Sequence, residues 1–104
     1  MNTAFWIDSH NLTALSNVKN RRTGQLLTDE EIFSISGQLT DANDEEVGDE
    51  IAFLYTDPGE WYAVWQREMK LNSFYTLTIV LVGTGLNLTM KISLPARYKG
   101  ASNE

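Results

Sequence analysis

The sequence predicts an all-β fold, an antiparallel β-sandwich of about seven short strands. Three observations predict it. Leu86, Leu88, Met90, Ile92 and Leu94 alternate with Asn87, Thr89, Lys91 and Ser93. Before them, Tyr75, Leu77, Ile79 and Leu81 alternate with Thr76, Thr78, Val80 and Val82. Successive side chains of a strand point to opposite faces, so a period of two marks paired strands over a core. Third, short alternating runs recur roughly every ten residues, and no segment keeps a helical period beyond about two turns.

Taken in order, Ala4 to Ile7 is a short apolar run that reads either as an edge strand or as an anchoring arm. Leu12-Thr13-Ala14-Leu15 with Val18 gives a second short strand. Asn20-Arg21-Arg22-Thr23-Gly24 reads as a turn, after which Leu26-Leu27 re-enter the apolar layer. Phe33, Ile35, Gly37 and Leu39 alternate with Ser34, Ser36 and Gln38, the pattern of a strand. Thr40 to Asp49 is a loop by its Asp, Asn and Glu content. Ile51, Phe53 and Tyr55 alternate again as one strand. In Asp57-Pro58-Gly59, Pro presets φ and Gly supplies the left-handed position of a turn. Trp61, Ala63 and Trp65 form one strand face, with Tyr62 and Val64 opposite. Arg67 to Asn72 reads as a linker with room for one helical turn. Thr84-Gly85, next to Gly83, turns the chain between the last two strands.

The bulk numbers bound what such a sandwich does. A chain of 104 residues is one domain, burying roughly 60–65% of its unfolded surface without a staple. It has no Cys, which removes disulfides, thiolate zinc sites and cysteine nucleophiles together. Met1 to Ser9 lacks the basic and apolar regions of an export signal. The longest apolar run, Ile79 to Val82, is far too short to cross a bilayer. Net charge is −6, with a balance of −7 over residues 1–50 and +1 over residues 51–104. An acidic chain with scattered Lys and Arg lacks the footprint that a phosphate backbone requires, so nucleic acid is not an expected partner.

The candidate chemistry is thin. His10 is the one histidine, and no nucleophile elbow accompanies it, so it reads as a solvated polar residue. Asp41, Asp44, Glu45, Glu46, Asp49 and Glu50 resemble a calcium loop in composition, but the position that needs Gly holds Glu46. A solvated acidic loop is the better reading, and no metal or cofactor is expected. Asn11-Leu12-Thr13 and Asn87-Leu88-Thr89 match the glycosylation sequon as chance events. Trp6, Trp61 and Trp65 with Tyr55, Tyr62 and Tyr75 form either a sugar platform or, better supported by the alternation, core packing. Lys19, Arg21 and Arg22 read either as a grip on an acidic neighbour or as a solvated turn. Tyr75, opening a long strand after a loop with Leu71 four residues earlier, resembles the corner tyrosine of Greek-key sandwiches, whose phenol bonds upstream backbone.

A family rhythm runs through Asn17-Val18-Lys19, Thr23-Gly24-Gln25-Leu26-Leu27, Ile32 to Leu39, Asp41-Ala42-Asn43-Asp44-Glu45-Glu46-Val47, Pro58-Gly59-Glu60-Trp61-Tyr62-Ala63 and Tyr75-Thr76-Leu77-Thr78-Ile79. Over residues 12–95 the chain resembles immunoglobulin-like modules. It is most similar to the small stand-alone ones encoded among the virion genes of tailed bacteriophages. Asp44-Glu45 departs from the Asp-Gly or Gly-Asn turn of many relatives, so a longer or bulged hairpin is expected there. The resemblance implies an immunoglobulin-like Greek-key sandwich over residues 12–99, an N-terminal arm or edge strand at residues 1–11, and a flexible tail at residues 100–104. A single module that starts at its own Met1 without an export signal fits a building block. The implied role is a non-enzymatic virion structural or assembly protein docking on the capsid or the head–tail (neck or tail) assembly. Its partners would be other virion proteins, capsid, portal, neck or tail components, with the chain oligomeric or multicopy on a lattice. No membrane partner is implied; the protein would be made in the host cytoplasm and reside in the virion. The alternative role is an adhesion or glycan-binding module. Expected docking residues are Phe5, Trp6 and Ile7 of the arm, Arg21 and Arg22 of the turn, and Arg97, Tyr98 and Lys99 near the end.

Overall fold

The computed structural model describes residues 3–99, and their regular structure is entirely β. Eight strands follow one another: β1 (Phe5–Trp6), β2 (Asn11–Leu15), β3 (Ile32–Thr40), β4 (Ile51–Ala52), β5 (Leu54–Asp57), β6 (Glu60–Trp65), β7 (Phe74–Gly83) and β8 (Leu86–Arg97). They form a five-stranded sheet in the order β1-β8-β7-β3-β4 and a three-stranded sheet in the order β2-β6-β5. Adjacent strands pair antiparallel, except that β1 runs parallel to the end of β8, Phe5 opposite Ala96 and Trp6 opposite Arg97.

The core lies between the sheets. Leu39, Leu77, Ile79 and Leu81 of the large sheet are fully buried, and Trp61, Ala63 and Trp65 of the small sheet join the same cluster. Each such aliphatic side chain contributes about 1.5–3 kcal/mol by leaving water. Phe5 meets Trp65 edge-on, ring centroids 5.3 Å apart. The β7–β8 hairpin turns at Thr84-Gly85 as its alternation and glycines predict, with Gly85 at φ 63° and Gly83 paired to Leu86. At the turn between β5 and β6, Gly59 has φ 77° and is buried. Its N–H donates to the Leu27 carbonyl and its carbonyl accepts from the Val18 N–H. A Cβ there would press on the end of the exposed Leu26 side chain, which can swing aside, and lie 3.2 Å from the Val18 carbonyl oxygen, so it is the positive φ that chiefly calls for glycine.

Tyr75 makes the corner bond that its position predicts: its phenol oxygen accepts the Lys70 N–H at 2.7 Å. The apolar residue tucked into that linker is Met69, whereas Leu71 is exposed. Residues 67–72 take no helical turn.

Several expectations change. Phe33 is 67% exposed, not in the layer with Ile35. The β3–β7 register shifts between Ile32 and Ser34, and this bulge turns Ile32 inward and Phe33 outward. Ile51 to Tyr55 is not one strand. Ile51–Ala52 pairs with β3, the Phe53 N–H donates to the Ile35 carbonyl, and Leu54 onward pairs with β6 in the other sheet. Period-two burial survives this crossing because Ile51 and Phe53 both face the core. The tail expected at residues 100–104 lies outside the described residues. No helix among the described residues is long and apolar enough to cross a membrane.

Candidate functional site

The candidate site follows from a mismatch in width. Five strands face three, so the core-side face of β8 extends past the covering sheet. Leu88, Met90 and Ile92 share a face with the buried Leu81, Ile79 and Leu77 opposite them on β7, yet they are 50%, 39% and 36% exposed. An apolar stripe on the inner side of a sheet therefore meets solvent.

The same strand is open along its backbone. β1 touches β8 only at Ala96 and Arg97, and no other described strand pairs with that side. The hydrogen bonds fix which groups face outward. The Ala96 N–H donates to the Ser73 carbonyl and the Ala96 carbonyl accepts from the Asn72 N–H, so both point toward β7. The Arg97 carbonyl points the other way and accepts from the Ile7 N–H. Directions alternate along a strand and the β7–β8 register has no shift, so Asn87, Thr89, Lys91 and Ser93 turn their N–H and carbonyl groups to the open edge. Pro95, which has no N–H, occupies the same outward series.

A cleft of about 870 Å³ adjoins the Leu86 end of this edge, with Val18, Leu27, Leu86 and Leu88 among its apolar lining. Its rim is the turn expected between the second strand and Leu26. There the Asn20 side chain accepts the Arg22 and Thr23 N–H groups, and the exposed Lys19, Arg21 and Arg22 border the cleft together with Glu31. Six of the eight Lys and Arg of this acidic chain lie on that turn or on β8 and its end: Lys19, Arg21, Arg22, Lys91, Arg97 and Lys99.

The expected docking residues divide accordingly. Phe5, at 3% exposed, packs in the chain's own core. Trp6 and Ile7 are half-buried beside β8. Arg21 and Arg22 border the cleft, while Arg97, Tyr98 and Lys99 are exposed past the other end of the edge. The Lys99 N–H donates to Asp8 Oδ1 at 2.8 Å. The arm is thus the domain's first strand.

Sequence reasoning missed Asn11, which holds that strand in place. Buried at the start of β2, it accepts the Trp6 N–H at 2.7 Å and donates to the Trp6 carbonyl at 3.2 Å. A buried Asn bonded to backbone on both sides leaves no trace in hydropathy; its sequon only distracts.

Other candidates resolve into structure. Trp61 and Trp65 are 4% and 3% exposed, so they form no surface platform for a sugar. Trp65 Nε1 donates to Thr13 Oγ1. His10 is exposed. In the acidic loop Asp41 accepts the Asn43 and Glu45 N–H groups, so its carboxylate caps its own turn. Arg67 holds the far end of that loop through the Asp49 carbonyl. No group of three or more His, Cys, Asp or Glu among the described residues is placed to hold a metal ion. Beside β5, burial and then the carboxylates of Asp29, Asp57, Glu31 and Glu30 push the Tyr55 phenol above its usual range.

No protein-family model, curated protein or solved structure matches this chain.

Proposed function

We propose that the chain is an immunoglobulin-like Greek-key module that acts without catalysis, as a docking protein in a larger protein assembly. The strand order supports the fold reading: a first strand parallel to the last, a broad sheet facing a three-stranded one, and the Tyr75–Lys70 bond pinning the connection between them. The open edge of β8 carries the functional reading. Ladder groups and an apolar face exposed along one strand are what strand-to-strand recognition uses. The assembly that fits the family resemblance is the virion of a tailed phage, with the chain bound in many copies to capsid, neck or tail components.

The experiment is stoichiometry. Purified particles should contain the chain at a fixed copy number, and Leu88→Asp with Ile92→Asp, both surface changes, should abolish incorporation while the free protein keeps its melting temperature. Absence from purified particles, or full incorporation of the double variant, would refute the proposal.

A further inference from the structure

We propose that β8 accepts an added strand from a partner protein, and that this strand is acidic, with apolar residues at every second position. The inference rests on the docking reading and names the partner's chemistry.

Three features select that occupant. The open stretch from Leu86 to Leu94 spans about 30 Å at a strand's rise of about 3.3 Å per residue, room for roughly eight or nine extended residues. The outward N–H and carbonyl groups of Asn87, Thr89, Lys91 and Ser93 supply the ladder. Alternate side chains of the incoming strand would land beside Leu88, Met90 and Ile92, extending the core sideways and covering their exposed area. Those on the other face would stand beside Thr89, Lys91 and Ser93, where cross-strand pairing with Lys91 favours a carboxylate. At the Leu86 end the strand would run into Lys19, Arg21 and Arg22, against which Glu31 is the carboxylate bordering the cleft. Past the other end comes the exposed Arg97.

A second copy of the chain is the poorer occupant. Its β8 carries cations and no acid. Antiparallel self-pairing centred on Met90 would set Leu86 opposite the other copy's Leu94, bringing the Arg21–Arg22 turn of one copy toward Arg97 of the other. Charge complementarity points to an acidic strand.

The test uses the whole chain and a synthetic peptide of about nine residues alternating valine with glutamate, beside a counterpart with lysine for glutamate. The glutamate peptide should bind, shift the amide resonances of Asn87, Thr89, Lys91 and Ser93, and protect them from exchange. The lysine peptide and the Arg21→Glu/Arg22→Glu protein should each bind at least about tenfold more weakly. Thr89→Pro removes an outward donor that β7 does not use, so it should block binding while keeping the melting temperature. Equal binding of both peptides, no binding of either, or shifts centred on the outer face of the small sheet around Leu12 and Val64 would overturn the inference. So would equal binding of an oligodeoxynucleotide of matched charge, which would reassign the surface to nucleic acid, or a dimer abolished by Thr89→Pro. If the peptide fails while the β8 substitutions still prevent incorporation into particles, the partner's chemistry is wrong and the docking reading stands.

Discussion

Asn11→Ala should loosen the first strand by an amount that the geometry sets. The side chain accepts the Trp6 N–H at 2.7 Å and donates to the Trp6 carbonyl at 3.2 Å. A third approach, 3.5 Å to the Trp65 carbonyl, is at the limit of a hydrogen bond and adds little. A net bond of this kind is worth about 1 kcal/mol, and a buried partner left unpaired costs about 1–3 kcal/mol. Trp6 is half-buried, so water recovers part of that loss. The expected destabilisation is therefore about 2–3 kcal/mol, or roughly 10 °C in melting temperature for a domain of this size. Urea unfolding followed by tryptophan fluorescence measures it directly, because Trp65 packs on Phe5 of the strand in question. Exchange of the Ile7 N–H, bonded to the Arg97 carbonyl, should accelerate more than that of amides in β7. A loss below about 0.5 kcal/mol, the range of an ordinary surface change, would refute the claim that this one amide pins β1.

Four further outcomes test the fold and its energetics. Ile79→Asp should abolish cooperative unfolding, since an unpaired carboxylate at a fully buried site costs several kcal/mol. Thr78→Asp should shift urea stability by less than about 1 kcal/mol, because Thr78 is half-buried on the outer face opposite Lys91; equal damage would mean that face is covered. Tyr75→Phe should cost about 1–2 kcal/mol in chemical denaturation by stranding the Lys70 N–H, and an unchanged midpoint would remove the corner bond from the account of the fold. Tyr55 keeps its proton in the folded chain at a pH where the unfolded chain, near the usual 10.0, releases it. Its contribution is present below that pH and falls as pH rises beyond it, so alkaline stability should decline less in Tyr55→Phe, and parallel declines would exclude the mechanism.

The sequence was legible where one physical rule acts alone. Alternation identified Leu77, Ile79 and Leu81, the face of Trp61, Ala63 and Trp65, and the Thr84-Gly85 turn, because a strand with one buried side writes its register into every second residue. The corner bond of Tyr75 was readable from its place after a loop. The bulge at Phe33 was not, since an inserted residue inverts the facing only of what lies beyond it: Ile32 turns inward and Phe33 outward, while Ile35, Gly37 and Leu39 keep the face that alternation gives them. The crossing at Phe53 was hidden for a related reason: a residue facing the core looks the same whichever sheet it hangs from. For the proposed docking edge, the charges of Arg21, Arg22, Arg97 and Lys99 were visible, but the exposure of Leu88, Met90 and Ile92 was not. Hydropathy reports that a face is apolar. It does not report how many strands stand opposite to cover it.

The passage of one uninterrupted stretch from β4 through Phe53 into β5 has a mechanical consequence. A two-residue border strand would ordinarily fray at little cost, because few ladder bonds secure it. Here peeling Ile51–Ala52 away pulls on Phe53, a buried ring whose N–H is tied to Ile35, and the next residues are already stitched into the opposite layer. Small openings at this rim are thereby coupled to rupture of the interior. Among the described residues the large sheet thus has one flank tied to the opposite layer at Phe53 and, along β8, a stretch whose outward ladder groups meet no other strand.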